Sequence, residues 1–367
     1  MEDDGILKEN KGMNVLILTG KFGMGHWSAS QALQQQLERE GHQVHTVDFF
    51  DYAMPELAPT LYRMFGWLVK YGGGLYNLFH RLTRNVEGDM PLAGAWVEYL
   101  EELLFETGAD VVVSTHPVCS SVVARYKREG GVMPLVTCIT DVTSHSEWIH
   151  PGTNCYLVAS HQVRQGLVDK GVEAERILVS GIPVGQQFTG GKPNRGQREL
   201  LIMGGGLGLM PRRDRFYEQL NDLPGVHVTI LTGRNEKLYQ RLHGKYENIE
   251  VVGFTTQVDQ YMARAHLMLS KPGGITVFEA IASRLPMLVW APFLDQEREN
   301  ARFLLEAGMA RLADKEEEAC LWAIESTLYD EAGLAGMRRA MEQASNTMCR
   351  AAVCAVVEQL AGEKVYA

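Results

Sequence analysis

Six short clusters in this sequence carry residue types suited to proton transfer and anion binding. The first is Thr19-Gly20-Lys21-Phe22-Gly23-Met24-Gly25-His26. It follows the apolar run Val15 to Leu18 and opens a helical pattern, so its backbone amides can face a phosphate or a charged headgroup. His26 comes directly after Gly25, at the helix start. The positive end of a helix lowers a histidine's proton affinity, which leaves it neutral and able to take a proton from a hydroxyl. The second and third clusters are Ser114-Thr115-His116-Pro117 and the run from Thr140 to Trp148, which includes Asp141 and His145. Each lies just past a predicted strand, where open α/β sheets bind their ligands. His26, His116, Asp141 and His145 can therefore converge on one crevice, with Asp141 orienting a histidine or holding its charged form. Read as plain structure, these are capped turns, and Trp148 is either core or part of an acceptor surface.

The other three clusters lie in the second half. In Gly204-Gly205-Gly206-Leu207-Gly208 the glycines let backbone approach a ligand closely, a diphosphate being a natural one. The run Ser270-Lys271-Pro272-Gly273-Gly274-Ile275-Thr276-Val277-Phe278-Glu279 turns from a strand into a helix. Its first amides and Thr276 can bind phosphate oxygens and stabilise a departing nucleoside diphosphate. Glu279 can accept from both hydroxyls of a ribose; the plain alternative is a solvent-facing helical glutamate. In Pro292 to Asn300, the side chains of Asp295, Gln296, Glu297 and Asn300 offer the hydrogen bonds that sugar hydroxyls need, or else form a charged helix capped by Asp295.

The elements that must position these clusters alternate strand and helix, which implies parallel sheets. Strands are predicted at Val15–Leu18, Val44–Phe49, Val111–Ser114, Leu135–Thr140, Tyr156–Val158, Ile177–Val179, Leu200–Met203, Val226–Leu231, Leu267–Leu269 and Met287–Val289. The Gly-, Pro- and Asn-rich stretch Gly190 to Gly196 reads as a linker. It divides a first domain, residues 14–190, from a second, residues 197–367. Both are doubly wound α/β units that begin with a strand and glycines and face each other across a cleft. The helical stretch near the end of the chain can pack back on the first domain.

At 367 residues the chain suits two domains, and its 46% hydrophobic and 22% charged residues are ordinary for a globular protein. A net charge of −10 disfavours general nucleic-acid binding. No apolar stretch approaches the length of a membrane span, and the acidic start lacks a signal-peptide pattern, so a cytoplasmic location is expected. Six cysteines without CxxC pairs read as reduced core residues, with no metal site. The segment Leu57–Arg84 is aromatic and basic: it holds Trp67, Lys70 and Arg81, with no acid from Leu57 through Val86. It reads either as a membrane-facing amphipathic unit or as two helices packed on the first domain.

The blocks GKFGMGHWSASQAL, STHP, TDVTSHSEW, VSGIPV, LIMGGGLGL, SKPGGITVFEA and DQERENA, taken in order, resemble the family of bacterial diacylglycerol glucosyltransferases and plant monogalactosyldiacylglycerol synthases. That family is related to the glycosyltransferase that completes lipid II. The resemblance covers about residues 15 to 310. It implies a GT-B fold, a UDP-hexose donor held by the second domain, a diacylglycerol or related lipid acceptor held by the first, inversion at the anomeric carbon, and no metal or other cofactor. It implies His26 as the base, with Asp141 and His145 near the reaction centre. Gly25, His116, Trp148, Trp67, Lys70 and Arg81 fall to the acceptor and an anionic membrane surface. Gly205, Gly206, Gly273, Gly274 and Thr276 fall to the diphosphate, Glu279 to the ribose, Phe254 to the uracil, and Gln296, Glu297 and Asn300 to the sugar. The implied enzyme is peripheral on the inner face of the cell membrane. The first domain is acidic, with 14 Lys and Arg against 22 Asp and Glu through Gly185, so membrane docking has to be local. Two other readings stay open: a UDP-sugar epimerase on the same fold, and a non-catalytic binder of sugar nucleotide or lipid. An NAD oxidoreductase fits poorly, because the glycine order is G-x-x-G-x-G, although Asp48 ends the second strand.

Overall fold

The apolar runs form two six-stranded parallel sheets. The computed structural model describes residues 12–22, 24–71, 96–191, 196–204, 210–211, 213–290 and 294–364. In the first sheet the strands are β1 Asn14–Thr19, β2 Gln43–Asp48, β3 Val111–Ser114, β4 Leu135–Cys138, β5 Cys155–Val158 and β6 Ile177–Val179, in the order β2-β1-β3-β4-β5-β6. The second sheet has β7 Arg198–Met203, β8 Val226–Leu231, β9 Ile249–Val252, β10 Leu267–Ser270, β11 Met287–Trp290 and β12 Ala310–Ala313, in the order β12-β11-β10-β7-β8-β9. Inner strands such as Val111-Val112-Val113 are buried along their whole length, as parallel strands covered by helices on both faces must be.

In each sheet the strand order reverses beside the first strand, between β1 and β3 and between β7 and β10. Crevices open at such reversals, at the carboxyl ends of the strands. Helix α1 (Gly25–Arg39) starts beside the first reversal and α10 (Gly274–Ser283) beside the second. The remaining helices are α2 Phe49–Ala53, α3 Ala58–Tyr71, α4 Val97–Thr107, α5 Pro117–Arg128, α6 His161–Val168, α7 Asp214–Asn221, α8 Glu236–Leu242, α9 Val258–Arg264, α11 Asp295–Glu306, α12 Glu317–Leu328, α13 Glu331–Asn346 and α14 Ala352–Lys364. Helix α1 ends where Gly41 takes a positive φ of 90°, a conformation easy for glycine.

One apolar cluster joins the two sheets, running from Val142, Trp148 and Ile182 to Val277, Phe278 and Ile281. Helix α14 leaves the second sheet and packs on the first. There Val353, Cys354, Val357, Leu360 and Ala361 share a core with Val15, Ile17, Leu33, Leu37 and Val113. Two edge strands, β9 and β12, go beyond the sequence expectation. Ile249-Glu250-Val251-Val252 and Ala310-Arg311-Leu312-Ala313 each place a charge in a four-residue run, which hides the apolar signal but suits a sheet edge. Five of the six cysteines are buried and Cys349 is exposed. Among the described residues, no helix is long and apolar enough to cross a membrane.

Candidate active site

Neighbours from two strand ends fix the histidine at the start of α1. His26 Nδ1 lies 2.8 Å from the Thr115 carbonyl and 2.8 Å from Thr140 Oγ1. A carbonyl can only accept, so Nδ1 carries the proton and Nε2 keeps its lone pair. Desolvation lowers the His26 pKa to about 4, against the opposing pull of the Thr115 hydrogen bond. The imidazole is therefore neutral at ordinary pH, and Nε2 can receive a proton. The His116 ring sits 4.8 Å from it and Trp148 6.1 Å. At Gly25, open space lies where a β-carbon would project, so backbone is accessible beside the base.

Asp141 reaches from the first sheet to the second. Its Oδ1 accepts from Asn300 Nδ2 at 3.0 Å, and its carboxylate also accepts from the Gly274 amide at the start of α10. Asn300 is fully buried. It donates as well to the Pro272 carbonyl (2.9 Å) and accepts from the Val142 amide (2.8 Å). Gly274 is required by this closeness, since a β-carbon there would collide with the Thr140 carbonyl oxygen. Burial raises the Asp141 pKa to about 6, with help from Glu297 and Glu299 and against its hydrogen bonds to Asn300 and Gly274.

On the second sheet, α10 points its amino end at the cleft, with Gly273 preceding the first turn and Thr276 within it. Glu279, one turn further, is mostly shielded from solvent, and desolvation raises its pKa to about 8. Among the described residues no hydrogen bond or ion pair engages its carboxyl. The exposed Phe254 ring lies 5.3 Å from the Arg234 guanidinium, an open aromatic face backed by a cation.

Several of the expected site residues are also engaged in holding the fold. Asn300 uses both amide atoms on the bridge between the sheets. Glu297 pairs with Lys271 Nζ (3.2 Å) and caps α11 at the Leu294 amide (3.2 Å), and Gln296 beside it is half-buried. His145 is 1% exposed and caps a short turn, accepting from the Glu147 amide at 3.2 Å. His116 likewise caps α5 through the Val118 amide. Trp148 is 2% exposed, so it belongs to the floor under His26 and not to an acceptor surface. Asp48 caps α2 at the Asp51 amide and accepts from Tyr62 at 2.5 Å, so it is not turned to a nucleotide ribose. Trp67 is exposed on α3, and Lys70 stands in that helix's last turn. Gly205, Gly206 and Arg81 lie outside the described residues. Sequence reasoning missed Glu147, whose pKa rises to about 7 through burial and the charge of Asp141. It also missed the threonine pair that holds His26, although both threonines stood inside quoted clusters.

Residues 26–184 match the family model for monogalactosyldiacylglycerol (MGDG) synthase, and residues 200–351 match that of the glycosyltransferase family 28 C-terminal domain. The chain is 29% identical over 358 residues to a processive diacylglycerol beta-glucosyltransferase of Staphylococcus carnosus, covering 92% of this chain and 90% of that one. It is also 29% identical over 353 residues to its namesake in Bacillus thuringiensis, covering 90% of each. Among solved structures, Acinetobacter baumannii MurG aligns with a TM-score of 0.60 at 16% identity, over 94% of this chain and 99% of that one. The calicheamicin glycosyltransferase CalG4 aligns at 0.64 and 16%, over 96% and 99%. A UDP-N-acetylglucosamine 2-epimerase aligns at 0.59 and 15%, over 97% of each. At such identities these likenesses carry the GT-B fold alone, and the fold does not separate transferase from epimerase.

Proposed function

We propose that the chain belongs to the family of monogalactosyldiacylglycerol synthases and diacylglycerol glucosyltransferases, and that it transfers a hexose from a UDP-sugar to diacylglycerol, with inversion, at a membrane surface. One observation carries the chemistry: His26, neutral and with Nε2 as its acceptor atom, stands across the cleft from the amino end of α10, with Asp141 between them.

In this reading, the acceptor hydroxyl gives its proton to His26 Nε2 as its oxygen attacks the anomeric carbon. The bond from that carbon to the β-phosphate oxygen breaks, and its electron pair leaves with UDP. The α10 amides and Thr276 stabilise the charge that develops there. The Asp141 carboxylate favours the imidazolium as it forms. Glu279 takes the ribose hydroxyls, Phe254 stacks on the base, and Gln296 and Glu297 border the sugar. Asn300 acts through Asp141 and holds the two domains in register. Glucose is the first donor to try, following the names of the relatives. The outer face of α3, with Met64 and Trp67 more than half exposed and Leu57 equally so just before the helix, is suited to an anionic bilayer on the cytoplasmic side.

The decisive experiment measures UDP release from UDP-glucose and UDP-galactose, with and without diacylglycerol in anionic vesicles, together with the lipid products. Release that needs both donor and lipid, with a new glycolipid, supports the proposal. Turnover of the donor without lipid would overturn it in favour of hydrolysis or epimerisation.

A further inference from the structure

His26 has two anchors, and they differ in what stands behind them. Thr115 is the first. Its carbonyl accepts from His26 Nδ1, and its hydroxyl lies 2.8 Å from Thr19 Oγ1 and 3.3 Å from the His26 carbonyl. Thr19 ends β1 and Thr115 follows β3, and these strands pair with each other. This anchor therefore lies wholly inside the first sheet. Thr140 is the second. It is 3% exposed, stands just past β4, and places Oγ1 2.8 Å from the same Nδ1. Since Nδ1 carries the proton, the Thr140 oxygen accepts a share of it.

What stands behind Thr140 is the second domain. The Thr140 carbonyl meets the Gly274 backbone so closely that a β-carbon there would collide with it. Asp141, next in the chain, accepts from the Gly274 amide and from Asn300 Nδ2, and the Val142 amide donates to Asn300 Oδ1. The run Thr140-Asp141-Val142 is thus set from outside by α10 and α11, while the Thr140 side chain reaches inward to His26. Hydrogen bonds weaken steeply with length, and a bond at 2.8 Å has about half an ångström to lose before it leaves the usual range. A displacement of that size, carried from the second domain through this run, releases His26 from Thr140 and leaves Thr115 in place.

The difference bears on rate, because the ring becomes an imidazolium when Nε2 takes a proton. Hydrogen bonds to charged groups are stronger than those between neutral ones, so Thr140 counts most as the charge forms. We propose that Thr140 is a positioning residue through which the second domain sets the orientation of His26. The base is then fully held only where α10 is seated against the first domain. The effect on rate rests on the reading of His26 as the base; the mechanical link between Asn300, Thr140 and His26 does not.

The test uses the full chain with histidine labelled by nitrogen-15. The His26 Nδ1–H signal is assigned by its loss in His26→Ala. It is then followed without ligand in the wild type, Asn300→Ala, Thr140→Val and the double variant. Asn300→Ala is expected to shift the signal in the wild-type background and to leave it unmoved in the Thr140→Val background. Should Asn300→Ala fold poorly, Gly274→Ala is read the same way, because its β-carbon presses on the Thr140 carbonyl. In the transfer assay, Thr140→Val should lower kcat about tenfold with little change in donor KM, the size of one hydrogen bond to a charged group, and Thr140→Ser should recover most of the loss. A signal that the second-domain variants leave unmoved, a shift of equal size in both backgrounds, or a kcat no better in Thr140→Ser than in Thr140→Val overturns the proposal. A background-dependent shift in a protein that transfers no sugar would uphold the link and remove the transferase reading. Normal transfer with no such shift would remove the link alone.

Discussion

At the scale of single residues, proton positions decide how the cleft works. With its proton fixed on Nδ1 by Thr115, His26 presents Nε2 as the acceptor, and its replacement should remove chemistry and spare binding. His26→Ala is expected to lower kcat by about two to four powers of ten with little change in UDP affinity, a split that steady-state kinetics and calorimetry read separately. On the proposed mechanism, Asp141 sets the acid limb. Its carboxyl is ionised above about pH 6 and takes up a proton below, which withdraws support from the imidazolium. Hence kcat/KM should fall as pH drops through about 6, and Asp141→Asn should abolish that limb; a limb that survives in the variant would assign it to another group. Glu279 makes the opposite kind of statement. Its pKa near 8 means it is mostly protonated at neutral pH, while two ribose hydroxyls are best accepted by the carboxylate. UDP binding should therefore release a proton and tighten between about pH 6.5 and 8.5. Glu279→Gln should flatten that dependence and weaken binding roughly tenfold or more, the size expected for a hydrogen bond to a charged group. The clusters holding these residues were legible, because glycines, histidines and acids after strands are visible in one dimension. The roles of Asn300 and Glu147 were not. Their meaning comes from partners the sequence does not mark, Asn300's lying 158 and 159 positions away.

Between residue and fold, α3 and the glycine loop form one unit. Phe22, inside that loop, meets the rings of Phe50, Tyr62 and Phe65 edge-on, with centroids 4.6, 4.8 and 5.4 Å away. It also lies 5.4 Å from the ring of His116, which touches His26. Tyr62 adds its bond to Asp48, whose other oxygen lies 3.5 Å from Lys21 in the same loop. The inner face of α3 thus leans on the loop before His26, while Trp67 and Met64 point outward. Trp67→Ala is expected to reduce flotation on anionic vesicles and to leave UDP binding untouched. Phe22→Ala should lower kcat as well, because it loosens the loop; equal kcat in the two variants would deny that coupling. The period of the apolar residues announced an amphipathic helix here but left its burial undecided, since a bilayer and a protein core select the same pattern. In the structure one face of the helix packs on Phe22 and the other is exposed. The short edge strands escaped notice for a related reason: four residues with a charge among them give too little alternation to read.

For the molecule as a whole, the sheets are joined by the Asp141–Asn300 bridge at the cleft and by α14 behind it. Asn300→Ala removes three hydrogen bonds at the bridge and should raise the KM for donor more than it lowers global stability. Leu360→Ala should do the reverse, costing about 2 kcal/mol or more and lowering Tm by several degrees with donor binding intact. Thermal melts with and without UDP separate the two. The alternation of strand and helix made the doubly wound sheets readable, because each apolar run is long enough to be buried and each helix has its stripe. Nothing local in Val353 to Ala361 says which sheet that helix joins. The joining has a further result, in the order of synthesis. Val15, Ile17 and Val113 leave the ribosome well before Val353, Cys354, Val357, Leu360 and Ala361, which complete their core. The first sheet must therefore wait, one side open, until α14 arrives, and damage to α14 is felt in a sheet made before it.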